Sequence, residues 1–82
     1  MMSSISGSQL QAGRALLDIS IKELSDISDV SWATIQRFEE TEGIPSSRSG
    51  NLEKVKSALE ARGVVFLGDP IDSPGVQLVK VK

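Results

Sequence analysis

Few kinds of side chain in this sequence could support chemistry. The chain has no cysteine and no histidine, so thiolate nucleophiles, disulfides, the commonest metal ligands and the usual general base at neutral pH are all lacking. The remaining carboxylates, lysines, arginines and hydroxyls form no pairing of nucleophile with base. The chain therefore reads as a binding protein, not an enzyme, and no cofactor is expected. The acidic group Glu39, Glu40 and Glu42 lacks the ligand spacing of a calcium loop and reads as a solvated helix end. The run Ser46 to Gly50, SSRSG, resembles a phosphate cradle only loosely, because no G-x-x-x-x-G-K-[ST] pattern is present. The residues left with something to offer are Ser31, Trp32, Ala33, Gln36 and Arg37. A guanidinium such as that of Arg37 can give two parallel hydrogen bonds to a planar acceptor, or form a surface pair with Asp29 or Glu40 worth little. Trp32 is the only tryptophan, and an aromatic at helical spacing reads more readily as a core or interface residue than as a ligand contact.

The elements that must position these side chains begin at Ser20. Ser20 with Glu23 three residues on has the form of a capping box, in which each side chain satisfies a free backbone donor of the first helical turn. The helix that follows is short, with Leu24 and Ile27 on one face and Ser25 small enough to admit a neighbour. Asp29 sits where the chain must turn and tolerates a positive φ, Val30 plugs the turn into the core, and Ser31 caps a second helix. In that helix Ile35 and Phe38 point inward at i, i+3, leaving Trp32, Ala33, Gln36 and Arg37 outside.

Around this pair, a first helix is expected from about Ser8, as its cap, to Leu17, with Leu10, Gly13 and Leu17 in one stripe and Arg14 off it. Gly13 costs about 1 kcal/mol of helix propensity relative to Ala and so implies a close contact. The polar run from Thr41 to Gly50 is a loop. Leu52, Val55 and Leu59 mark a fourth helix, with Arg62 suited to its last turn and Gly63 just past its end. Val64 to Leu67 and Val76 to Val81 read as two strands of a hairpin, joined by a loop with two prolines.

Three stretches, Ser20 to Leu24, Val30 to Glu39 and Ala58 to Phe66, together resemble the Cro and phage-repressor-type (XRE-like) helix-turn-helix family of bacterial transcriptional regulators. The fold this implies is mainly α, a four-helix phage-repressor-like DNA-binding domain with a short C-terminal β-hairpin. Its expected organisation is a flexible N-terminus over 1–7, the helix-turn-helix domain over 8–67, and a loop and strand over 68–82 that form a dimer element. The function implied is sequence-specific binding of double-stranded DNA, with the helix after Ser31 in the major groove. The positions matching the family's base readers are Trp32, Ala33 and Arg37, with Gln36 nearby. Arg37 is suited to a guanine edge and Ala33 to a thymine methyl. Ser31, Ser46, Ser47, Arg48 and Ser49 are the candidates for backbone phosphates.

The sequence also departs from that pattern. Ile21 stands where the family usually has a phosphate-clamping glutamine, Asp29 replaces the turn glycine, and Ser25 replaces an alanine. Through Gly50 the bases Arg14, Lys22, Arg37 and Arg48 face Asp18, Glu23, Asp26, Asp29, Glu39, Glu40 and Glu42, so this half carries net −3. Phosphate neutralisation supplies much of DNA affinity, and the alternative is a protein-interaction module that presents Trp32 and its acidic rim to a partner. The start of the chain shows no basic leader and no segment is apolar enough to span a bilayer, so a cytoplasmic protein without a membrane partner is expected. The apolar strand at Val76 to Val81 would be a liability as an open edge, which implies either pairing across a two-fold axis in a homodimer or packing of the hairpin on the fourth helix.

Overall fold

Among the described residues, serines open three of the four helices, each by the same local chemistry. A computed structural model describes residues 4–47 and 49–80 of the chain. Ser6 caps α1 (Gly7–Leu17), Ser20 caps α2 (Ile21–Ser28) and Ser31 caps α3 (Trp32–Glu40). Each serine oxygen accepts the backbone N–H three residues on, relieving one of the unpaired donors of the first turn. At Ser6 and Ser20 the capping box is reciprocal, closed by Gln9 and Glu23. The fourth helix, α4 (Asn51–Glu60), starts differently: Gly50 is left-handed and offers no side-chain cap, and the Leu52 amide donates to Ser47 Oγ at 2.9 Å.

Two short strands, β1 (Val64–Leu67) and β2 (Gly75–Leu78), complete the described chain as an antiparallel pair, so the architecture is mainly α. Their register sets Val64 opposite Leu78 and Phe66 opposite Val76. These four residues form the inner face and pack into or against the core, while Val65 and Leu67 point to solvent. The core itself joins Leu10 of α1, Leu24 of α2, Ile35 and Phe38 of α3, Leu52, Val55 and Leu59 of α4, and Val64. In this arrangement α1 packs on α3 and on the hairpin, and α2 packs on α3 and α4.

Several expectations need correction. The folded region begins earlier than residue 8: Ile5 is 2% exposed and belongs to the core, and the cap of α1 is Ser6, not Ser8. Ile27, expected on the inner face of α2, is 37% exposed. The buried position is Ser28, one residue on, whose Oγ accepts the Val30 N–H. Strand β2 starts at Gly75 and ends at Leu78, because β1 supplies only four partners. Val79 still donates its amide to the Gly63 carbonyl at 2.8 Å, whereas Val81 lies outside the described residues. The close contact foreseen at Gly13 is present, but it is with Leu59 of α4 and with Val64 and Phe66 of the hairpin.

Candidate functional site

The outward face of α3 is set by the three-residue turn that precedes it. Asp29 adopts the left-handed conformation at φ 62°, and its N–H donates to the Ser25 carbonyl. Ser25 is more than small: its hydroxyl donates to the Val30 carbonyl at 2.6 Å. Val30 is buried, so the turn is pinned from below by packing and from the side by hydrogen bonds. With Ile35 and Phe38 fully buried, the orientation of α3 about its own axis is fixed.

A second anchor fixes its far end. Arg14 of α1 forms a two-pronged pair with Glu39, Nε to Oε2 and Nη2 to Oε1 both at 2.8 Å, and donates Nη1 to the Ile19 carbonyl. The two side chains are 20% and 5% exposed, so Glu39 is not the solvated residue its neighbours suggested. The hydrogen bonds that Arg14 donates to Glu39, and the carboxylate's charge, raise the Arg14 pKa above its ordinary value, against the opposing effect of burial. Beside this anchor the N-terminus of α1 abuts the C-terminus of α3: the Gly7 N–H donates to the Gly43 carbonyl at 3.0 Å, and a Cβ at Gly7 would run into the carbonyl oxygens of Phe38 and Thr41.

Of the residues expected to read bases, Trp32 is 49% exposed, Ala33 and Arg37 are exposed, and Gln36 is half-buried. Gln36 Nε2 donates to Glu40 Oε2 at 3.3 Å. Arg37 pairs with neither Asp29 nor Glu40; its Nη1 donates to the Ser46 carbonyl at 3.2 Å, and its guanidinium carbon lies 5.0 Å from the centre of the Phe38 ring. Arg37 shares an open depression with Thr34, Ser46, Ser49 and Asn51 at the start of α4.

The expected backbone contacts divide. Ser31 is exposed but engaged as a cap, Ser46 and Ser49 are exposed beside Arg37, and Ser47 is half-buried and takes the Leu52 amide. Arg48 lies outside the described residues. Thr34 and Asn51 were missed by sequence reasoning; Thr34 stands three residues before Arg37 on the same helix, a spacing that could have pointed to it. On the opposite flank, Asp26 and Asp29 line a depression with Ser31, and Lys22 is held in an exposed pair with Asp26. Arg37 thus stands beside the start of α4, and Asp26 and Asp29 stand at the turn that precedes α3.

Compared with models of known protein families and with curated proteins, the chain matches none. Among the described residues no helix is long and apolar enough to cross a membrane, and no group of three or more His, Cys, Asp or Glu is placed to hold a metal ion.

Proposed function

We propose that this protein is a helix-turn-helix transcriptional regulator of the Cro and phage-repressor type, a cytoplasmic binding protein and not an enzyme. In this reading α3 enters the major groove of double-stranded DNA. The observation that carries the proposal is the pinned turn from Asp29 to Ser31, which leaves Trp32, Ala33, Gln36 and Arg37 facing out from a helix whose other side is buried. Trp32, Ala33 and Gln36 meet base edges. The family resemblance implies a guanine edge for Arg37, but its place beside Ser46 and Ser49 favours a phosphate oxygen on the groove rim. One such module covers few base pairs, so the target is a palindrome bound by a homodimer, with the C-terminal hairpin as the dimer element.

Selection of bound duplexes from a random pool, followed by titration of the enriched duplex between about 50 and 200 mM salt, tests the proposal. A steep fall of affinity with salt is expected. Arg37→Ala should weaken binding to all duplexes alike and reduce the salt slope by about one, with an unchanged circular dichroism spectrum. Absence of binding to any duplex at low salt would refute it. That result would favour a second reading, a protein-interaction module, motivated by the half-exposed Trp32 indole and the net charge of −2. There, Trp32→Ala would dissociate the partner.

A further inference from the structure

The hairpin departs from the usual pattern of a sheet with one solvated face. Its inner side, Val64, Phe66, Val76 and Leu78, packs into or against the core, and the other side of such a sheet is ordinarily polar. Here the outward positions are Val65 and Leu67 of β1, with Gln77 of β2 and Val79 just past its end; the three apolar residues are 39%, 43% and 48% exposed. Val65 stands opposite Gln77, and Val79, whose amide donates to the Gly63 carbonyl, lies diagonal to Val65. Val65, Leu67 and Val79 are thus neighbours on one face, with Gln77 as its polar member. Apolar residues exposed singly need no explanation, but a contiguous set marks a contact surface.

The charges around this face are sorted by end. Arg62 precedes β1 and Lys80 follows Val79, so both stand at the end where Val64 pairs with Leu78, whereas Asp69 and Asp72 lie in the loop that joins the strands at the other end. All four are exposed. The Asp69 carboxylate is engaged by the Ile71 and Asp72 amides, but among the described residues Arg62, Lys80 and Asp72 take part in no ion pair. A two-fold axis lying between two such faces, across the strands, reverses one hairpin against the other. It sets the basic end of each copy on the acidic loop of its partner, twice over, while Val65, Leu67 and Val79 of the two copies meet between them. A surface complementary to its own rotated image selects a second copy of this chain over an unrelated protein.

We propose that the outward face of the hairpin is the homodimer surface, two sheets packed face to face, with Arg62 and Lys80 of each copy beside Asp72 of the other. The proposal rests on the homodimer of the reading above and names its surface; it requires no DNA. With strands of four residues the face is about 13 Å long, short of the about 800 Å² that a stable interface buries on each partner. The dimer therefore forms at high concentration, or where a palindrome holds two copies side by side.

Sedimentation equilibrium of the full chain alone, from about 1 μM to about 1 mM, tests the proposal. A monomer and dimer in equilibrium are expected, with a Kd that rises as salt screens the paired ends. Val65→Lys and Val79→Lys should each leave a monomer with the circular dichroism and Tm of the parent. Arg62→Glu with Lys80→Glu should raise Kd about tenfold, because an exposed ion pair worth up to about fivefold is made twice. Adding Asp72→Lys to that chain should lower Kd again, a rescue that no local role of Arg62 or Lys80 would produce. A monomer at every concentration would overturn the proposal. So would a dimer that both lysine variants leave intact, since the contact would then lie on the open edge of the hairpin or elsewhere. Either failure leaves DNA binding to be judged by its own titration, and a dimer built as described in a protein that binds no duplex would uphold the surface and refute only the regulator.

Discussion

Gly7→Ala should destabilise the protein even though the same change inside an exposed helix normally stabilises it. Replacing glycine by alanine in a helix gains at most about 1 kcal/mol from backbone propensity. Here the added Cβ would meet the Phe38 carbonyl oxygen and lie 2.6 Å from that of Thr41, both of them backbone atoms that cannot rotate away. Restoring ordinary contact with Thr41, at 3.4 Å, requires α1 to withdraw by about 0.8 Å. That movement would break the Gly7 to Gly43 hydrogen bond, worth about 1 kcal/mol, and overpacking of this kind adds about 1 to 3 kcal/mol. The net loss is about 2 kcal/mol, which in a domain of this size lowers Tm by about 8 to 16 °C. Gly13→Ala is the internal control. Its Cβ would touch only the side-chain ends of Val64, Leu59 and Phe66, at 3.2, 3.4 and 3.5 Å, which can yield, so propensity and crowding should nearly cancel. Calorimetry of the two variants decides the matter. A Gly7→Ala protein as stable as its parent would mean that the α1 to α3 junction is looser than described, and with it the orientation of α3.

Two further outcomes follow from the same geometry. Glu39→Ala should cost about 1 to 3 kcal/mol in urea unfolding, because it takes both carboxylate bonds from a half-buried guanidinium and leaves it only the Ile19 carbonyl; the pair of changes Arg14→Met with Glu39→Leu should recover most of that loss, and a double variant no better than the single would refute the account. Asp69 accepts the backbone N–H groups of Asp72 and Ile71 at 2.9 and 2.8 Å, which lowers its pKa, the Asp72 bond contributing most. A depressed carboxylate supports the loop above its unfolded pKa and loses that support as pH falls through the lower folded value, so the amide resonances of Asp72 and Ile71 should titrate with a midpoint below about 3.9, the ordinary Asp value.

The parts of this protein that were legible in sequence are those whose causes are local. Ser20 with Glu23, and Ser31 before a helical run, name their own hydrogen bonds, and Asp29 announces a positive φ because few other residues accept one. The inward pair Ile35 and Phe38 follows from periodicity alone. Ser6 and Ser8 could each cap the first helix, and only the matching Gln9 three residues after Ser6 selects between them. Ile5 precedes any periodic stretch, so nothing in its neighbourhood marks it as core. The choice of Ser28 over Ile27 is made by the direction from which α3 and α4 approach α2. Arg14 and Glu39 are 25 residues apart, and Arg14 lies off the apolar stripe of its own helix, so their pairing belongs to tertiary structure and leaves no mark in either segment.

The amide of Gln9 carries a consequence for how the chain reaches this state. Its Oε1 accepts the Ser6 N–H, and its Nε2 donates to the carbonyls of Leu67 and Gly75, both at 3.1 Å and 58 and 66 residues away. The side chain is buried, so until both carbonyls arrive its donors have no partner except water. α1 is thus completed by the hairpin, a pairing distant in sequence that must wait for the intervening chain to close. Folding of this unit ends in a long-range closure of α1 on the hairpin that neither segment can make alone.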